Sequence, residues 1–100
     1  LRRANRVANF FERMAIFVNR GALSKDLAML LFAEAAKLHW SAVRAYVVQI
    51  RERTGEAAIA EYFEDFALSA PDWQRRDSAR SKRLLRDSNA ITPGVPAGEP

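Results

Sequence analysis

The chain has no cysteine among its 100 residues. That removes disulfides, thiolate metal sites and cysteine nucleophiles together, and it suits a reducing compartment. There is one histidine, His39, and no Asp or Glu stands three or four residues from it, so a helical metal-ligand pair is excluded. No G-x-S-x-G turn is present to make that histidine the base of a serine nucleophile. Set among alanines, His39 is expected to be structural or interfacial. The four glycines, at 21, 55, 94 and 98, are too scattered for a phosphate-cradling loop. The longest uncharged apolar run, Leu27–Ala33, is far short of the roughly 20 residues that cross a bilayer. No catalytic residue, metal ligand or cofactor is expected, and the chain reads as non-enzymatic.

Glycine and proline are also missing from Lys25–Arg53, and this stretch organises the rest. As one helix it would be about 43 Å long. Met29, Ala33, Ala36, Trp40, Val43, Val47 and Ile50 recur at alternating steps of four and three, the spacing of a buried seam. Phe32, Ala35, His39, Ala42 and Tyr46 widen the seam past half the circumference, leaving Asp26, Glu34, Lys37, Ser41 and Arg44 for a narrow wet side. An arc this wide calls for at least two neighbours. Ser24 caps the helix start, with Asp26 in the first turn, and Thr54-Gly55 ends it.

The flanking segments supply those neighbours. A first helix over residues 2–19 carries Val7, Phe10, Phe11, Met14, Phe17 and Val18 on one stripe, and Gly21 closes it. A third, over residues 56–69, turns Ile59, Tyr62, Phe63, Phe66 and Ala67 inward and Glu61, Glu64 and Asp65 toward solvent. Three acids on a wet face lack the desolvation a general acid needs. Ser69-Ala70-Pro71-Asp72 reads as a stop followed by a fresh start, opening a fourth helix, 72–87, anchored by Trp73 and otherwise loosely attached. Residues 88–100, rich in proline and glycine, read as a disordered tail. The predicted fold is therefore all-α: one domain over residues 1–87, a small antiparallel bundle of three main helices plus a loose fourth. The predicted core is Phe10, Phe11, Met14, Phe17, Trp40, Val43, Val47, Phe63 and Phe66.

Charge is unevenly spread within a net +4. Residues 56–72 hold five acids and no base, and residues 73–86 then hold six bases against Asp77. Arg75, Arg76, Arg80, Lys82, Arg83 and Arg86 are the candidate contacts for an anion or an acidic partner. They do not line one face as a groove-reading helix would, and no aromatics interleave beyond Trp73.

Asn9-Phe10-Phe11-Glu12, Arg20-Gly21 with Leu23, Trp40, Arg51-Glu52-Arg53 and Phe63-Glu64 together resemble a family of uncharacterised bacterial helical domains catalogued as a domain of unknown function. The resemblance spans about residues 7–68 and leaves out the basic segment and the tail. It implies no activity, cofactor or site residue. Members of that family often carry a transmembrane helix shortly upstream, so the resemblance implies a cytoplasmic domain that can be tethered to a membrane.

The expected function is a helical protein-interaction module, an accessory or regulatory subunit of a bacterial assembly with a protein partner or a second copy of itself. Nucleic-acid binding through residues 74–86 is the alternative, and membrane association a further one.

Overall fold

The computed structural model describes residues 2–91, and the side chains of residues 5–88. Three helices, α1 (Arg2–Asn19), α2 (Lys25–Thr54) and α3 (Glu61–Ile91), account for the regular structure, and among the described residues there is no strand.

Each boundary has a local cause. At the end of α1, Gly21 takes a φ of 79°, the Ala22 N–H donates to the Phe17 carbonyl and the Gly21 N–H to that of Val18. This is a Schellman close, and it needs a residue that tolerates the left-handed region. Ser24 opens α2: its side-chain oxygen accepts from the Leu27 N–H at 3.2 Å. Gly55, at φ 74°, ends α2 by donating its N–H to the Arg51 carbonyl. Residues 56–60 do not continue as helix, so the third helix begins at Glu61, later than the sequence suggested.

The start of α3 has no local cap. Ala60, immediately before it, offers no side-chain oxygen and holds a φ of 60°, which is costly for a residue with a Cβ. The missing acceptor comes from 51 residues away. The Glu12 carboxylate on α1 accepts from the Phe63 N–H at 2.8 Å, satisfying a donor in the first turn and placing negative charge at the positive helix end.

The inner seam of α2 receives both neighbours. Met29, Ala33, Ala36, Trp40, Val43 and Val47 are buried with Phe11, Met14 and Ala15 of α1 and Phe63, Phe66, Ala67 and Ala70 of α3. The centre is aromatic. Phe63 stacks on Phe11 at 4.9 Å between ring centroids and meets Trp40 edge-on at 5.2 Å, so one ring from each helix shares the contact. Such pairs add about 0.5–1.5 kcal/mol beyond the area they bury. Outside the core, Arg51 bonds Glu64 at 2.9 Å and the Ile59 carbonyl at 2.9 Å, pinning the α2–α3 connection. Glu64 is thus a half-buried partner of Arg51, whereas Glu61 and Asp65 are exposed.

Two sequence expectations need correction. First, there is no separate fourth helix: α3 runs without interruption through Pro71 to Ile91. A proline inside a helix removes one backbone bond and costs about 3 kcal/mol. Packing on either side offsets that cost here. Ala70 is fully buried, and the Trp73 indole donates to Asp26 of α2 at 2.9 Å. Gln74 accepts from Lys37 at 2.7 Å, and Asp72 pairs with Arg75 and Arg76. Residues 88–91, assigned to the tail, belong to this helix, and residues 92–100 lie outside the described residues. Second, Phe10 and Phe17 are not core. They are 50% and 56% exposed, while the other seven predicted core residues are buried. Phe11, Met14 and Ala15 already fill the face of α1 that meets both partners, and the wider stripe overhangs it.

Candidate interaction surfaces

The overhang of α1 makes a groove. Phe10, Met14 and Phe17 on α1, Leu23 in the connection and Phe32 on α2 line an open, apolar space of about 680 Å³. Phe10 meets Phe32 edge-on at 5.5 Å, so the floor is a packed aromatic surface. Arg6, Asn9 and Arg13 stand around it. Both arginines are exposed, and among the described residues no acid lines this space. Chemically the groove offers an apolar floor for a few large side chains with a cationic margin.

A second surface runs along the outer side of α2. Leu27, Leu30, Leu31, Leu38 and Val48 are 40–66% exposed, on a helix whose opposite face is the core. A helix apolar all round is ordinarily buried all round, and here the bundle covers only one side. The sequence reading gave this side to Asp26, Glu34, Lys37, Ser41 and Arg44 and passed over the leucines between them. The signal was present, because the four-three spacing of the inner seam recurs two residues earlier.

The third surface is the far part of α3. Every described side chain from Ser78 to Ser88 is exposed, so this stretch has left the bundle. Leu84 and Leu85 are 63% and 65% exposed and lie outside the core cluster of the described residues. The six candidate bases are not gathered into one site. Arg75 and Arg76 are held by Asp72, and Arg80 by Asp77 at 3.0 Å. Lys82, Arg83 and Arg86 make no ion pair among the described residues. Arg76, Arg80 and Arg83 share a cleft of about 460 Å³ with Lys25, Asp26 and Trp73, so two carboxylates, Asp26 and Asp77, sit among its bases.

His39 is exposed, its ring 5.8 Å from that of Phe11. No group of three His, Asp or Glu residues suited to a metal ion occurs among the described residues, and no helix there is long and apolar enough to cross a membrane. The Glu34 carboxyl on α2 is held below the usual range, first by the hydrogen bond from Lys37, then by that from Gln74 and by the Lys37 charge. A carboxyl lowered in this way stabilises the fold at pH values above its unfolded pKa and loses that contribution as pH falls through the folded one.

Fold and surfaces together define a small helical domain with open apolar faces. The chain belongs to the family described as domain of unknown function DUF4760, whose model matches residues 2–73. The match takes in all of α1 and α2 and α3 as far as Trp73, where that helix is anchored, and leaves the basic arm outside. No curated protein and no solved structure matches the chain.

Several residues behind the family resemblance have positions of physical consequence. Glu12 caps α3, Gly21 closes α1, Trp40 and Phe63 meet in the core, and Arg51 pairs with Glu64. Glu12 and Arg51 serve different contacts: Glu12 accepts from the Phe63 N–H, and Arg51 bonds Glu64 and the Ile59 carbonyl.

Proposed function

We propose that the chain is a non-enzymatic protein-interaction module, an accessory or regulatory subunit of a bacterial assembly, that takes an amphipathic helix of its partner in the groove between α1 and α2. The supporting observation is that Phe10 and Phe17 stand half exposed over an apolar floor with Arg6 and Arg13 at its margin. Helix-in-groove recognition uses large apolar anchors at three- and four-residue spacing, and the arginines favour a helix whose flanks are acidic. Synthetic amphipathic helices with one apolar face and acidic, neutral or basic flanks provide the test, titrated against the full chain by fluorescence anisotropy. The acidic peptide binds tightest, weakens with salt, and is lost in the Phe10→Ser/Phe17→Ser double variant at unchanged helicity. Equal binding of the basic peptide, or full binding by the double variant, contradicts the proposal.

The second reading is nucleic-acid binding through the far part of α3, favoured by Lys82, Arg83 and Arg86 on an arm clear of the bundle. Affinity for DNA or RNA that falls steeply between low and moderate salt, and disappears on deleting residues 78–91, supports it. No binding at low salt ends it. Anionic vesicles in the same titration distinguish the membrane-associated reading.

A further inference from the structure

Two seams run along α2, and the bundle uses one. The inner seam, Met29 to Ile50, faces α1 and α3. The outer seam is Leu27, Leu31, Glu34, Leu38, Ser41, Ala45 and Val48, with the same alternation of four and three. A shift of two residues is a rotation of about 200°, so the two seams lie on opposite sides of the helix. All seven outer positions are exposed. They cover about 32 Å of helix, three repeats of the pattern by which two helices interlock. Solvent does not require that spacing, nor does the bundle, which reaches this seam at Glu34 through Gln74 of α3.

We propose that the outer seam of α2 packs antiparallel against the same seam of a second copy, about a two-fold axis near residue 39. The charges on this face fit that occupant. Glu34 lies five residues before that point and Arg44 five after it. The antiparallel pair therefore sets Glu34 of each copy, which bonds Lys37 and Gln74 within its own chain, opposite Arg44 of the other, as a two-fold interface requires. The same register places Leu30 opposite Val48 and brings the two copies of Leu38 together at the axis. Arg44 makes no ion pair among the described residues. Parallel pairing would set Glu34 against Glu34. A domain of this size buries a limited share of its own surface, so covering the seam also adds stability. The surface is distinct from the groove, and the inference does not depend on the proposed function.

The absence of cysteine makes the test simple. Sedimentation equilibrium of the full chain at micromolar concentrations shows a dimer, and the Leu31→Glu/Leu38→Glu variant is a monomer. All of these side chains are exposed in one copy, so circular dichroism of the variant stays unchanged. Glu34→Arg and Arg44→Glu each raise the dimer Kd about tenfold, since two symmetric pairs are lost, and the double exchange restores it. On oxidation Leu38→Cys gives a covalent dimer, whereas Leu27→Cys does not, because the two copies of residue 27 lie at opposite ends of the seam. A monomer at every concentration overturns the proposal. So does a dimer that survives Leu31→Glu/Leu38→Glu, and so does ready crosslinking of Leu27→Cys. A dimer unaffected by Phe10→Ser/Phe17→Ser supports it, and it leaves the groove to be judged by peptide binding alone.

Discussion

Replacing Glu12 by alanine removes the acceptor that starts α3, and the cost follows from the geometry. The Glu12 carboxylate lies 2.8 Å from the N–H of Phe63, a residue with no exposed surface. An ordinary cap is worth about 1 kcal/mol. A buried donor left without a partner costs about 1–3 kcal/mol, and the lost charge at the helix end a further 0.3–1 kcal/mol, roughly. These overlap, since they describe one bond, and together they place the loss near 2 kcal/mol. In a domain of this length each kcal/mol moves Tm by roughly 4–8 °C, so Glu12→Ala melts about 8–16 °C lower. Urea unfolding followed by tryptophan fluorescence shows a lower midpoint at unchanged slope. Glu12→Gln keeps an acceptor and gives up only the charge, so it loses less than half as much. A Glu12→Ala loss below about 0.5 kcal/mol, the ordinary range of surface substitutions, refutes the reasoning. Glu12→Gln as damaging as Glu12→Ala refutes it too, because the bond would then not be what matters.

Three further outcomes follow from the same structure. Ala60→Gly relieves a left-handed backbone that costs a Cβ-bearing residue about 1–2 kcal/mol, less about 0.4–1 kcal/mol of added chain entropy, so it stabilises by roughly 0.5–1 kcal/mol in urea unfolding. Pro71→Ala restores the amide donor inside α3 and raises stability by about 1–2 kcal/mol, against the roughly 3 kcal/mol a helical proline costs; a lower Tm would place a break in α3 at that residue. Phe11→Ala costs about 3–5 kcal/mol as a core deletion, whereas Phe17→Ser changes stability by less than about 0.5 kcal/mol, a contrast differential scanning calorimetry reads directly.

The course of the chain was largely legible because the signals were local. Gly21, Ser24 and Gly55 mark three helix boundaries through their own conformations and caps. The inner seam of α2 identified the core helix and most of what it buries. Where the sequence misled, the deciding partner was distant. Pro71 reads as a helix start by any local rule, and the burial of Ala70 in the core with the bonds of Trp73 and Gln74 to α2 carries the helix through it. The start of α3 was read five residues early because the cap that fixes it sits on α1. Periodicity placed Phe10 and Phe17 on the right stripe of α1 and could not say how much of that stripe its neighbours cover. The outer leucines are masked differently: their seam is interrupted by Glu34 and Ser41, so its apolar signal is weaker than that of the inner seam.

α2 is a rod with two apolar sides, one sealed by its own chain and the other exposed in a single copy. Carbene footprinting at two protein concentrations measures both sides at once. Leu30, Leu31 and Leu38 are expected to be labelled in dilute protein and shielded as concentration rises, while Met29, Trp40 and Val43 stay unlabelled throughout. Labelling of Met29 and Trp40 comparable to that of the leucines, or leucines equally labelled at both concentrations, would contradict this.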